Sequence, residues 1–163
     1  MIVGVDNGSA SGALVAIDES GNLIDYAPLP AVIRGGRSEL DVVTTAKWIE
    51  WLGDPTGIAV EEPLHRAPST QSMRSMAMCY GMLKGMCNTM HWPFADIQVR
   101  DWQKSMLGKF PKGQSKKFAL AAAQELEPDE KWHDPTKPRA RTPHIGIVDA
   151  YLVAQYALQE RIF

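Results

Sequence analysis

Three carboxylates occupy places in this chain where burial would be costly. Ile2-Val3-Gly4-Val5 is a short apolar run suited to a strand covered on both faces, and it stops at Asp6, with Asn7-Gly8-Ser9 turning the chain directly afterwards. Ile58-Ala59-Val60 repeats the form and stops at Glu61-Glu62-Pro63. The third acid, Asp149, falls on the helical stripe of Ile145, Val148, Leu152 and Tyr156. A carboxylate drawn into a core costs several kcal/mol or more unless a cation or hydrogen bonds compensate it. Taken singly, each acid has an ordinary explanation: an Asx turn at Asp6, a solvated strand end at Glu61, a buried ion pair at Asp149. Taken together they suggest converging carboxylates, which repel one another unless divalent metal neutralises them. An all-oxygen donor set suits hard cations such as Mg²⁺ or Mn²⁺. Two such ions about 4 Å apart can activate a water and stabilise the leaving oxygen of a phosphodiester displacement.

The surrounding elements decide whether these acids meet. Residues 13–17 read as a hairpin return strand and residues 23–27 as a third strand, so three antiparallel strands open the fold. Residues 28–37, with Pro30 and Gly35-Gly36 as breakers, read as a loop. Apolar residues at Val42, Val43, Ala46, Ile49 and Leu52 predict a helix over 41–52. A strand reached through a helix is ordinarily parallel to its partner, by a right-handed crossover. Residues 58–60 should then lie beside the first strand, with Asp6 and Glu61 emerging at one edge of the sheet. A long helix over 69–90 carries Met73, Met76, Met78, Met82, Met86 and Met90, with Gly81 and Gly85 permitting close approach of another element. Its methionines read either as a flexible core stripe or as a helix–helix dimer interface. A fifth strand falls within 94–99, and helices within 100–106 and 115–126, the latter turning Phe118, Ala121, Ala122 and Leu126 inward. Thr142 is placed as the N-cap of the last helix and Pro143 at its first position. The class expected is α/β, a five-stranded mixed sheet flanked by helices.

At 163 residues the chain is expected to form one domain, 1–163. A composition that is 45% apolar and 22% charged argues against disorder. No apolar run approaches the roughly 18 residues of a membrane span, and the N-terminus lacks a signal-peptide pattern. Cys79 and Cys87 lie eight apart on one helix and read as buried thiols of a reducing cytoplasm. A net charge of −2 makes no general case for nucleic acid. Locally, Arg100, Lys104, Lys109, Lys112, Lys116 and Lys117 face only Asp101 between positions 100 and 117, which reads either as a solvated face or as a phosphate site.

In order along the chain, VGVDNGSASGAL, IAVEEP and HIGIVDAYLVA resemble the RuvC family of Holliday junction resolvases, especially its phage-encoded members. The succession of strands and helices resembles the ribonuclease H-like fold. The likeness spans residues 1 to about 160, although the first motif alone is shared with actin-like ATPases and sugar kinases. The resemblance implies a dimeric, Mg²⁺-dependent endonuclease that cuts two opposed strands of a four-way DNA junction, leaving 5′-phosphate and 3′-hydroxyl ends. A phage-encoded member would work in the bacterial host cytoplasm. Asp6, Glu61 (with Glu62 as fallback) and Asp149 match the family's acids, and the helix after Glu61 matches its dimer helix. The family's usual fourth ligand, three residues before the last acid, falls on Gly146, and the acid that some phage members carry one residue earlier falls on Ile145. His144 is the nearest candidate ligand. Five residues before Asp149 on a helix, it would be turned about 140° away, so it reaches the metals only if the helix begins after it or is distorted. Lys112 and Lys116, flanking Gly113-Gln114-Ser115, are implied as phosphate or proton-transfer residues, and Leu64, His65 and Arg66 as junction contacts. Two other readings stand beside this one. A branched-DNA-binding protein of the same fold would bind without cutting, consistent with the missing fourth ligand. An actin-like ATP-binding lobe would need a second lobe that this length does not accommodate.

Overall fold

The computed structural model describes residues 1–8, 11–63 and 69–163. In chain order it contains β1 (Ile2–Asp6), β2 (Ala13–Ile17), β3 (Leu23–Pro28), β4 (Ala31–Arg34), β5 (Arg37–Leu40), α1 (Val42–Leu52) and β6 (Gly57–Glu61). These are followed by α2 (Thr70–Met90), β7 (Phe94–Ile97), α3 (Val99–Leu107), α4 (Ser115–Leu126) and α5 (Ile145–Gln159). Five strands form one mixed sheet in the order β3-β2-β1-β6-β7. The β1/β2 and β2/β3 pairs are antiparallel, and the β1/β6 and β6/β7 pairs are parallel, as the helical crossovers require.

The segment read as a loop over 28–37 is different: β4 and β5 pair as a separate antiparallel ribbon. Gly35 and Gly36, at φ 55° and 75°, supply the left-handed pair that a two-residue hairpin turn needs. The same two glycines that resemble a chain break are the turn of a hairpin.

Alternation along β1 divides the core. Ile2 faces one cluster with Val15, Ala59, Trp102 and much of α5, while Val3 and Val5 face another with Leu14, Ile58, Val60 and Leu83. The predicted stripe on α5 is too narrow. Gly146, Ile147, Val148, Ala150, Tyr151, Leu152, Val153, Ala154 and Ala157 are all buried, because α3 and α4 cover the side turned away from the sheet. On α4 the buried positions are Ala119 and Ala123, and of the residues expected inward Ala122 packs partly buried against the same cluster, whereas Ala121 faces solvent. Leu126 is exposed, and Phe118 packs on Phe110 with ring centroids 5.8 Å apart.

The last helix also begins later than expected. His144, not Thr142, is its N-cap, with Nδ1 accepting from the Ile147 amide at 3.2 Å, and Pro143 lies outside the helix. The His144 amide donates to the Trp132 carbonyl at 2.7 Å, which ties the preceding loop down and leaves the ring in the capping position. Cys79 and Cys87 are buried free thiols. Among the described residues, no helix is long and apolar enough to cross a membrane.

Strand β1 and helix α5 touch backbone to backbone. A Cβ built on Gly4 would overlap the Ala150 carbonyl and lie 2.7 Å from the Ala154 nitrogen. Overpacking of this kind costs about 1–3 kcal/mol, and each kcal/mol moves the midpoint by about 2–4 °C at this chain length. Gly4→Ala is therefore expected to melt roughly 2–12 °C below wild type in calorimetry. An unchanged midpoint would mean that the seam has slack.

Candidate active site

The parallel register pairs Val5 with Val60, so the next residues, Asp6 and Glu61, are lateral neighbours at the ends of adjacent strands. Alternation sends both side chains to the face that α5 covers. Asp149 approaches from α5, one residue before the Ala150 carbonyl that meets Gly4. Each of the three side chains keeps part of its surface open to solvent. Glu62, the fallback, extends the ladder through its amide to the Ile97 carbonyl at 2.8 Å, and alternation turns its side chain to the opposite face.

The three acids lie within one another's field. Burial, then the charges of Asp6 and Asp149, push the Glu61 carboxyl up to about 8. Burial and the Asp6 charge raise Asp149 to about 7 against the pull of the Lys116 ammonium. Burial raises Asp6 to about 6, opposed by the Gly8 amide. Of the two proposed lysines, Lys116 is thus the one that acts on the acids. Lys112 is exposed in the turn ahead of α4, and no described contact joins it to them.

Hydrogen bonds tether two of the carboxylates by one oxygen each. The Gly8 amide donates to Asp6 Oδ1 at 3.1 Å, and the Trp102 indole donates to Glu61 Oε2 at 3.0 Å. From the turn after β1, Asn7 Nδ2 donates to the Glu61 carbonyl at 2.7 Å. None of the three acids forms an ion pair among the described residues. As the side chains lie, no three Asp, Glu, His or Cys among the described residues close on a single ion. The carboxylates are near enough to repel without being gathered into one coordination sphere. As a donor set they fit a hard divalent cation: all oxygen, partly open, and mutually repulsive until positive charge arrives.

At Gly146, the position where the resemblance implies a fourth ligand, a Cβ would overlap the Ser11 carbonyl and lie 2.9 Å from Asp6 Oδ2. The β1–β2 turn occupies the space from which a side chain would start. His144 stands just before the helix, so the angular objection to it does not apply. Its Nδ1 lone pair is committed to the Ile147 amide, which leaves Nε2 of the neutral ring as a proton donor. A ligand role requires the ring to leave the cap. Leu64, His65 and Arg66 lie outside the described residues.

Sequence reasoning overlooked Trp102 and Asn7. The available signal for Trp102 was the spacing of Val99, Trp102 and Met106, one apolar face on an otherwise polar helix. Asn7 had no signal beyond its place in the turn.

No family model and no curated protein matches this chain. Solved structures do. RuvC of Thermus thermophilus in complex with a Holliday junction substrate matches with a TM-score of 0.67 at 15% identity, over 99% of this chain and 94% of that one. A second Thermus thermophilus RuvC structure matches at 0.61 and 15%, over 99% and 95%. The fowlpox virus resolvase in complex with substrate Holliday junction DNA matches at 0.59 and 12%, over 98% and 99%. The chain has the RuvC-like, ribonuclease H-like fold. In this fold the end of the central strand, the end of its parallel neighbour and the helix across them carry Asp6, Glu61 and Asp149.

The raised carboxyls carry a signature in stability. Each group holds its proton more tightly when folded than at its ordinary value near 4, so the folded state binds more protons between about pH 4 and 8. Stability without divalent cations should therefore be full below about pH 4 as far as these groups are concerned, and decline as pH rises through 6, 7 and 8. Urea unfolding in EDTA is expected to show that decline, levelling above about pH 8. A flat profile would place the acids outside a shared low-dielectric pocket.

Proposed function

We propose that this chain is a divalent-metal-dependent, structure-selective endonuclease that resolves four-way DNA junctions by paired phosphodiester hydrolysis. The observation that carries the reading is the meeting of Asp6, Glu61 and Asp149, from three separate elements, in one electrostatic site. The likeness of the whole chain to two resolvases described with Holliday junction DNA supports the substrate class. Asp6, Glu61 and Asp149 would hold Mg²⁺, or Mn²⁺ in its place, with His144 as a further ligand once its ring leaves the helix cap. Such ions would activate water and stabilise the leaving oxygen when bound.

The protein's own groups have distinct tasks in this scheme. The Gly8 amide and the Trp102 indole hold one oxygen each of Asp6 and Glu61. Lys116 sets positive charge beside Asp149, where the scissile phosphate needs a counter-charge or a proton donor. Lys112 extends that charge along the α4 turn, and Leu64, His65 and Arg66 contact the junction from the segment after Glu61. Products with 5′-phosphate and 3′-hydroxyl ends are assigned on the resemblance alone, as is the cytoplasm of a bacterial host if the chain is phage-encoded.

Paired cuts need two sites, and we assign the homodimer contact to α2. Its methionines divide between the two earlier readings. Met86 is buried in the core, whereas Met78 is exposed on the face of Gly81 and Gly85, and Met73 is exposed nearer the start of the helix. A Cβ on either glycine would meet nothing within 4 Å among the described residues. Light scattering at micromolar concentration is expected to give twice 18.0 kDa for wild type. Gly81→Arg should return the mass to that of one chain while its far-UV circular dichroism stays that of the folded protein. A wild-type mass of one chain would remove the dimer.

A non-cleaving branched-DNA binder remains the second reading, favoured by the obstructed ligand position at Gly146 and by the spread of the acids. Labelled junction, fork and duplex assayed together separate the two. Wild type with Mg²⁺ should nick the junction in opposed strands, and Asp6→Asn or Asp149→Asn should bind it without producing nicks. Binding without product by wild type in Mg²⁺ or Mn²⁺, across about pH 7–9, would leave the binder.

A further inference from the structure

We propose that Trp102 is a positioning residue for Glu61, its indole fixing which carboxylate oxygen faces a bound divalent cation. The inference rests on the reading of the three acids as a metal site.

A glutamate at a strand end has a flexible side chain, and here its carboxylate is flanked by Asp6 and Asp149, whose charges would drive it away. Two contacts oppose that swing. Asn7 Nδ2 holds the Glu61 carbonyl at 2.7 Å, which pins the backbone. The Trp102 indole then holds Oε2 at 3.0 Å. Trp102 is 1% exposed and packed into the cluster on the α5 face of the sheet, so its ring has no room to follow a drifting carboxylate. The donor type matters as much as the distance. An indole offers a single N–H and no acceptor, so it takes one oxygen, and among the described residues Oε1 carries no hydrogen bond. An arginine or lysine there would orient the carboxylate too, but its charge would compete with the cation. A neutral, rigid donor orients Glu61 while leaving its negative charge available.

Calorimetric titration with MnCl₂ and the Mg²⁺ dependence of junction cleavage, run side by side, test this. Loss of an outer partner of a metal-ligating carboxylate weakens metal binding by about 10–100-fold. Trp102→Phe keeps an aromatic ring and removes the N–H. It should weaken Mn²⁺ binding by a factor in that range and raise half-saturating Mg²⁺ alongside, with cleavage recovering at saturating Mg²⁺ and metal-free junction binding unchanged. Trp132→Phe is the packing control, since Trp132 is fully buried and its Nε1 has no hydrogen-bond partner among the described residues. It should lower the melting temperature without moving Mn²⁺ affinity. Should Trp102→Phe fail to fold, benzothienylalanine at position 102, which matches the indole shape without the N–H, is expected to give the same loss of Mn²⁺ affinity. Unchanged Mn²⁺ affinity in a folded variant lacking the N–H would overturn the role of Trp102 and leave the metal reading intact. No Mn²⁺ binding by wild type would overturn both.

Discussion

At Gly4 and Gly146, helix α5 meets the β layer with no side chain between the two backbones. Gly4 lies against the Ala150 carbonyl, and Gly146 against the Ser11 carbonyl in the turn that follows β1. These contacts bracket the site, because Asp6 follows Gly4 on the strand and Asp149 follows Gly146 on the helix. The approach that lets two carboxylates repel across a shared space is built into the absence of Cβ atoms. The rest of the molecule supports that approach. Small residues at Ala150, Ala154 and Ala157 keep α5 low on the sheet, and α3 and α4 close over its back.

Electrostatics in this chain are a local matter. The net charge of −2 conceals a site in which three acids lie within one another's field and a basic stretch on α3 and α4 whose Lys116 charge is felt at Asp149. Burial is the largest cause of the upward shift at all three carboxyls, ahead of repulsion from neighbouring acids at Glu61 and Asp149. Position therefore makes these carboxyls hold their protons more tightly: the same residues on an exposed loop would remain ordinary carboxylates.

Much of this architecture was legible before any coordinates, and what escaped did so for physical reasons. Asp6 and Glu61 could be found because each ends a run of apolar residues, and a buried strand leaves that mark within a few positions. Asp149 could be found because its acid interrupts a helical stripe. The Trp102–Glu61 contact spans forty-one positions and belongs to no periodicity, so only the folded chain displays it. The β4–β5 ribbon was hidden because Gly-Gly serves equally as a break and as a tight turn, and tertiary context decides which. His144, a candidate ligand on the sequence, is a helix cap, a task that Thr142 two residues earlier fits better on propensity. The inward face of α4 was legible only in part, at Ala122 and not at Ala119 or Ala123, because a run of alanines leaves its hydrophobic direction poorly marked.

The burial of α5 on most of its sides has a consequence for motion. Helix amides that are enclosed this way, like those of a strand at the centre of a sheet, exchange with solvent hydrogen chiefly when the whole domain opens. Asp6 and Asp149 ride on two such elements, β1 and α5. A site carried on a surface loop would come apart many times before its scaffold did. Here, separating these two carboxylates amounts to unfolding the protein.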